Sequence, residues 1–285
     1  MNDSSIPLKS KMDLHQFIFW FLISLLLILR LPILGLTTYL VPSTFKWVVP
    51  LYEIGTYLII IFLIWWEREN LQIHHMDGLA IFLIIIFKPL STLILHFWIP
   101  SNPMAFPKTI SLAFFIPSVI LLTLVLRKKI TAKIDTWRSI RWFIAGGFLG
   151  VLLMVIEGII MIKYLNSPFP INPGAEGWFY PFYQIGFAAV PEEPLFRGFL
   201  WGGMKKAGIK DFWILIIQTV AFTLAHIYYL NTPKAILYLI IIFINSLCMG
   251  ILVWKSRLIS STIAFHGFAN GSSLAQFWVY SLLFK

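Results

Sequence analysis

Apolar residues in this chain come in long runs separated by short stretches rich in charged residues, proline and glycine. Each run is close to the length of about 20 residues that an α-helix needs to cross a membrane. The pattern shows no alternation of apolar and polar positions of the kind that marks membrane strands. The nine candidate helices are 17–40, 48–66, 79–99, 110–126, 140–165, 178–203, 212–230, 235–254 and 258–283. We therefore predict an all-α, polytopic bundle of about eight or nine transmembrane helices, with one membrane domain at 17–285 after a cytoplasmic tail at 1–16.

Composition and charge support the same class. Hydrophobic residues make up 59% of the 285 residues and charged residues 12%, whereas roughly 25% of a soluble domain is charged. The formal net charge of +10 could indicate nucleic acid, but the basic residues are confined to short connections between apolar runs. We interpret them as topology signals that also contact anionic lipid headgroups, and we expect no nucleic-acid partner.

The distribution of Lys and Arg predicts the orientation of the chain. Connection 127–141 carries six basic residues, 204–211 carries three and 255–257 carries two. The intervening connections carry one each, at Lys108, Lys163 and Lys234. Because cytoplasmic loops hold the excess of Lys and Arg, we predict a cytoplasmic N-terminus and an external C-terminus, in the plasma membrane if the host is bacterial.

The most informative polar residues are the adjacent carboxylates Glu192 and Glu193, which lie inside an apolar run. Charged groups are costly at membrane depth, so they usually face a bundle interior or a wet cavity and mark function. Arg197 shares the helical stripe of Glu193, whereas Glu192 points about 100° away. One carboxylate is thus predicted to pair with a guanidinium and the other to serve as a base. Taken alone, these residues would equally suit a structural ion pair in a transporter or scaffold.

Two prolines predict a helix boundary beside these carboxylates. Proline is tolerated in the first turn of a helix and is damaging in its interior. Since Pro191 and Pro194 flank the pair, we expect the sixth run to break near Val190 and a new helix to begin at Pro191. Both carboxylates would then lie at a helix N-terminus, where the macrodipole favours negative charge.

Two later runs each contribute a histidine. His226 follows Phe222 by one helical turn, and His266 shares a helix face with Asn270. Two glycines beside this second pair would allow another helix to approach closely, Gly267 and Gly271. A lone histidine in an apolar helix is more often a packed residue than a catalytic one. Together with a carboxylate, however, two imidazoles and a carboxamide provide a base for water and donors for an oxyanion.

Three short motifs in the second half resemble one membrane protein family. They are Glu192-Glu193-x-x-x-Arg197, Phe222-x-x-x-His226 and His266-x-x-x-Asn270. In this order on three late helices, they are similar to the CPBP family of CAAX proteases and bacteriocin-processing enzymes, which includes the type II CAAX prenyl endopeptidases. The resemblance covers about 178–284, which we expect to form the catalytic core. It implies an intramembrane endopeptidase that acts on a membrane-associated or lipidated peptide or protein.

The resemblance also implies roles for individual residues. Glu192 would activate the attacking water with help from His226, while His266 and Asn270 would stabilise the oxyanion. The supporting positions would be Glu193, Arg197 and Phe222. The family is commonly labelled a metalloprotease, so Zn²⁺ bound by Glu192, His226 and His266 with water as fourth ligand is one possibility. We favour a metal-free reaction, because an oxyanion role for His266 leaves too few ligands for zinc.

A second class of function remains open from the sequence. A non-proteolytic scaffold or immunity protein, or a proton-coupled transporter, could retain the same polar pocket, because buried charges and histidines also suit an ion path. Several other polar residues in apolar runs could line the cavity, namely Lys88, His96, Glu157 and Gln218. Glu53 lies near the end of its run, where we expect its side chain to reach towards the membrane surface.

Overall fold

The computed structural model describes residues 13–36, 42–97, 108–132, 135–165, 172–231 and 234–284. Most residues in these ranges are helical, and no strand occurs in them. The helices of the first half are α1 (Leu14–Leu36), α2 (Pro42–Trp66), α3 (Gly78–Phe97), α4 (Lys108–Ala113), α5 (Phe115–Leu126) and α6 (Thr136–Leu165). Those of the second half are α7 (Tyr180–Gln184), α8 (Val190–Glu193), α9 (Trp201–Lys206), α10 (Asp211–Leu224), α11 (Ala235–Ser256), α12 (Ile259–Asn270) and α13 (Ser273–Leu283).

Helix lies in every one of the nine predicted runs, so the all-α prediction is confirmed. Within the described ranges, three helical stretches are long and apolar enough to cross a membrane: Gly78–Leu95, Thr136–Lys163 and Ile236–Ser256. Large apolar side chains on α6 point outwards, including Ile144 and Phe148, which are 64% and 66% exposed. Such faces are suited to lipid, and they indicate an integral membrane protein. The number of membrane crossings stays a prediction.

The basic connections singled out in the sequence meet at one end of the bundle. Arg138 Nη2 donates to Ser256 O at 2.8 Å, which joins the first turn of α6 to the end of α11. Lys205 and Arg257 both pair with Asp211, at 2.9 and 3.0 Å. This arrangement agrees with the predicted alternation of basic and less basic connections. The assignment of this end to the cytoplasm stays a prediction.

The segment that carries the two glutamates is helical throughout, so the predicted break near Val190 is wrong. α7 continues through a π-helical turn at Ile185–Ala189, then α8, then a second π-helical turn at Pro194–Leu200 into α9. Val190 has φ −62° and ψ −41°, well within the right-handed helical region. The π-helical turns shift hydrogen bonding to the fifth residue, so the chain passes prolines that lack an N–H without leaving the helix. Both carboxylates therefore lie inside a helix, away from any N-terminus.

α12, which carries His266, begins inside the bundle. Residues 260–262 are fully buried, and the loop formed by residues 67–77 covers this end. Ile259 N donates to His75 O at 2.9 Å, and Ser260 N donates to Asp77 Oδ1 at 3.1 Å. These bonds satisfy two of the N–H groups that a helix leaves unpaired in its first turn.

Loop 67–77 is itself held by a buried ion-pair cluster. Glu67 is 1% exposed and accepts hydrogen bonds from His74 Nε2, at 3.1 Å, and from Lys206 Nζ. Burial would raise the pKa of Glu67, but these two donors outweigh it and lower the pKa to about 2. Since Lys206 ends α9, the loop joins the helical segment of the glutamates to the start of α12.

Two glycines allow close packing against the helical segment of the glutamates, as the sequence predicts. A Cβ on Gly267 would lie 2.3 Å from Ile185 Cγ1, and one on Gly271 would lie 2.4 Å from Pro181 Cα. The second contact is with backbone, so no side-chain rotation could relieve it. Close approach at these positions sets the distance between α12 and the glutamates.

Gly271→Ala is therefore expected to destabilise the protein by about 1–3 kcal/mol, the usual cost of overpacking. The measurement is the melting temperature of the purified protein in detergent. Gly55→Ala in α2 is the matched control, because nothing lies within 4 Å of a Cβ there. A Gly271→Ala protein that melts at the wild-type temperature would contradict the close packing.

Candidate functional site

A cavity of about 510 Å³ inside the bundle brings the predicted catalytic side chains together. The four that line it are Glu192, His226, His266 and Asn270. Its walls come from α2, the helical segment of the glutamates, α6, the end of α10 and the turn after it, α11, α12 and α13. The predicted runs would place His226 nearer the outer side of the membrane and His266 nearer the inner side. The buried start of α12 accounts for their meeting, because it places His266 beside the glutamates.

Glu193 lies at the centre of the polar contacts. Its Oε1 atom is 3.3 Å from Arg197 Nη1 and accepts a hydrogen bond of 2.8 Å from His266 Nδ1. Glu193 and Arg197 are both fully buried. The contact of these two residues is the one that their spacing of four predicts. The bond to His266 joins this pair to α12.

Arg197 extends the network to a residue that sequence reasoning missed. Its Nη2 atom donates to Ser246 Oγ at 2.8 Å and approaches Ser246 O at 3.3 Å. Its guanidinium also lies over the ring of Phe222, 4.2 Å from the centroid. A single serine in the apolar run of α11 has no sequence signal that separates it from a packing residue. Arg197 thus connects the helical segment of the glutamates, α10 and α11.

Glu192 and His266 face each other across the cavity. His266 Nε2 lies 3.8 Å from Glu192 Oε2, while its Nδ1 donates to Glu193. Glu192 is 5% exposed and lines the cavity. The bond at Nδ1 holds the imidazole ring, so that its other nitrogen is directed towards Glu192. The adjacent glutamates therefore have different surroundings: Glu193 is enclosed in an ion pair and Glu192 borders the cavity.

His226 lies just after α10, in the turn that follows Leu224. Its Nδ1 donates to Phe222 O at 2.8 Å, and the two rings are 4.7 Å apart. With the proton on Nδ1, Nε2 of the neutral ring is a proton acceptor. Asn270 is the last residue of α12, one turn after His266, and its exposed side chain lines the cavity.

The other polar residues of the apolar runs differ in whether they line the cavity. Glu157 lines the cavity, as the sequence allowed. Glu53 lines it too and forms a buried ion pair with Lys88, so the interpretation that Glu53 reaches towards the surface is wrong. Gln218 is buried and donates to Thr219 Oγ1, at 3.0 Å, outside the cavity wall. The side chain of His96 lies outside the described part of the structure.

Glu192, His226 and His266 are the side chains that the sequence offers as zinc ligands. In the described residues, no group of three or more His, Cys, Asp and Glu side chains is arranged to hold a metal ion. Nδ1 of His266 is bonded to Glu193, and Nδ1 of His226 is bonded to Phe222 O. Bonds of this kind at one ring nitrogen also orient zinc-bound imidazoles. The metal-free reaction therefore stays a prediction.

Fold and site together describe a helical membrane protein in which the predicted site residues line one cavity. The Rce1-like family model, described as type II CAAX prenyl endopeptidase Rce1-like, matches residues 174–272. This match confirms the resemblance to the CAAX protease family, and it spans all seven site residues. Comparison with curated proteins and with solved structures gave no match.

Proposed function

We propose that the protein is an intramembrane endopeptidase that hydrolyses a peptide bond of a membrane-associated substrate. The observation that carries this proposal is the shared cavity of Glu192, His226, His266 and Asn270 within the segment that matches the endopeptidase family. The family description names a CAAX prenyl endopeptidase, so a lipidated peptide is the substrate class that we propose. The match favours a protease over a scaffold or transporter.

In the proposed reaction, Glu192 takes a proton from a water molecule in the cavity, and His226 supports this step through Nε2. The resulting hydroxide adds to the carbonyl carbon of the scissile bond and forms a tetrahedral oxyanion. The carboxamide of Asn270 and Nε2–H of His266 donate hydrogen bonds to that oxyanion. The C–N bond then breaks, and the proton held by Glu192 passes to the leaving amine.

Glu193 and Arg197 act on this reaction through His266. His266 can donate from Nε2 while it donates from Nδ1 only if the ring carries both protons. The Glu193 carboxylate, 2.8 Å from Nδ1, stabilises such an imidazolium. Arg197 and Ser246 hold Glu193 in place, so these residues position the oxyanion donor and do not touch the reacting atoms.

The proposed reaction uses no metal. In support, no group of three or more His, Cys, Asp and Glu side chains in the described residues is arranged to hold one. Treatment of the purified protein with 1,10-phenanthroline or EDTA is therefore expected to leave the cleavage rate unchanged. The measurement is turnover of a lipidated peptide, together with the zinc content of the protein. Stoichiometric zinc, with activity lost on chelation and restored by added metal, would overturn the metal-free reaction and leave endopeptidase activity intact.

The function itself is tested by quantitative mass spectrometry of peptide termini in host membranes. Cells with wild-type protein are compared with cells that contain Glu192→Gln at the same level. We expect new termini that are present with the wild type and absent with the variant, and these would identify substrate and cleavage site together. Identical termini in both membranes, with the cellular phenotype retained, would favour the scaffold. Loss of a solute flux without any change in termini would favour the transporter.

A further inference from the structure

The cavity contains a carboxylate that the proposed reaction does not use. Glu157, in the middle of α6, lines the wall and is 9% exposed. Asn245 Nδ2 on α11 donates to its two oxygens, at 2.9 and 3.1 Å. In the described residues, no Lys, Arg or His forms an ion pair with Glu157, so a neutral carboxamide is its partner.

The other two carboxylates of the cavity each lie near a basic group. Glu53 is paired with Lys88, and Glu192 is 3.8 Å from His266 Nε2. A carboxylate at membrane depth is costly without such a partner, and for this reason it indicates a function. Glu157 differs from both, because no basic partner lies beside it in the described residues.

The hydrogen bonds around Glu157 also leave acceptor atoms without donors. Asn245 Nδ2 has two hydrogens, yet it faces three acceptors: the two oxygens of Glu157 and Ile241 O, the last at 2.9 Å. A carboxylate has about four acceptor sites, so most of those on Glu157 are not satisfied by Asn245. Asn245 Oδ1 is also buried and has no hydrogen-bond partner within the described ranges. Carboxylate and amide oxygen together form an acceptor-only pair, which requires a donor-rich ligand.

The remaining wall of the cavity is suited to a cation. Aromatic rings line it at Tyr228, Tyr229 and Tyr238, and the faces of such rings attract ammonium and guanidinium groups. Among the described residues that line the cavity there is no Lys or Arg. An acidic side chain would meet three carboxylates there, at Glu53, Glu157 and Glu192, whereas a basic one would find both charge and acceptors.

We propose that Glu157 and Asn245 form a subsite that binds a Lys or Arg side chain of the peptide substrate. The subsite would select basic sequences near the scissile bond, since Glu157 shares its cavity with Glu192. This inference rests on the proposed endopeptidase function.

The test uses the full chain in nanodiscs of neutral phosphatidylcholine and a set of lipid-anchored, fluorogenic peptides. Within each group of three peptides, a single position holds Lys, norleucine or Glu. The groups differ in where along the peptide that position lies. For the wild type, at the best position, we expect kcat/KM for Lys to exceed that for norleucine about tenfold or more, with Glu the poorest, as a charged hydrogen bond predicts. In Glu157→Gln the ratio of Lys to norleucine is expected to fall towards one. Asn245→Ala, which removes the amide oxygen, is a second variant expected to lower it.

Glu69→Gln is the matched control, because it removes an exposed carboxylate whose side chain is 83% accessible. Its Lys-to-norleucine ratio is expected to equal that of the wild type. A wild-type ratio of one at every position would overturn the subsite, as would an unchanged ratio in folded Glu157→Gln and Asn245→Ala. Loss of thermal stability with an unchanged ratio would assign Glu157 to bracing α6 against α11.

Peptide-binding measurements distinguish a failure of the subsite from a failure of the proposed function. The peptides are titrated against the Glu192→Gln protein, where no turnover is needed. Tighter binding of the Lys peptide, lost on further Glu157→Gln replacement, would support the subsite even if the wild type cleaves nothing. Cleavage without any preference for Lys would support the endopeptidase and overturn the subsite.

Discussion

Replacement of Glu192 by Gln is expected to lower kcat for a lipidated peptide by at least about 100-fold, the usual contribution of a general base. The carboxamide has the same shape as the carboxylate but cannot accept the proton of the attacking water. Since Glu192 borders the cavity, whereas the buried ion pair belongs to Glu193, the melting temperature should remain close to that of the wild type. The measurement is single-turnover kinetics of the purified protein in nanodiscs.

Glu69→Gln provides the comparison for this experiment, because it removes the same charge from an exposed position. It is expected to cleave at the wild-type rate. If Glu192→Gln turned over the peptide as fast as the wild type, the general-base role of Glu192 would be excluded. A variant that had lost both activity and thermal stability would instead show that Glu192 supports the fold.

Arg197→Met is expected to destabilise the protein by about 3–5 kcal/mol, because removal of one partner leaves a buried carboxylate without its counter-charge. Arg197 and Glu193 are fully buried, and the guanidinium also contacts Ser246 and Phe222. The measurement is the free energy of unfolding from a denaturant titration in detergent. The double variant Glu193→Gln/Arg197→Met should recover part of the loss, since no uncompensated charge then remains.

Lys205→Met is the matched control for Arg197→Met, because it removes one partner of an exposed ion pair. Lys205 pairs with Asp211 at 2.9 Å, but its side chain is 44% exposed. Exposed pairs contribute at most about 1 kcal/mol, so little change in stability is expected. Additive effects of the Glu193 and Arg197 replacements would contradict the coupling that the buried pair implies.

Local features of the site were predictable from the sequence. The contact of Glu193 with Arg197 and the position of Phe222 beside His226 follow from a spacing of four residues. Helical periodicity predicts both, although His226 itself lies in the turn just after α10. The predicted break at Val190 failed because the effect of a proline depends on which hydrogen bonds the neighbouring turns can shift. The π-helical turns on either side of α8 supply that shift.

Contacts between distant helices were not predictable in this way. Ser246 and Asn245 are adjacent polar residues in the apolar run of α11, and nothing in their neighbours marks them. Their partners are far along the chain: Arg197 is 49 residues from Ser246, and Glu157 is 88 residues from Asn245. One sequence contains no signal for such pairs, because they depend on how the helices pack.

The sequence by itself determined the class of protein, the helical segments and the candidate site residues, since run length, charge placement and spacing are properties of the local chain. Only the tertiary structure decided the surroundings of those residues. Loop 67–77 covers the start of α12, and this places His266 between the two glutamates. Packing of α6 against α11 leaves Glu157 with a neutral partner. Burial and partner choice arise from contacts between segments distant in sequence, so they appear only once the bundle is assembled.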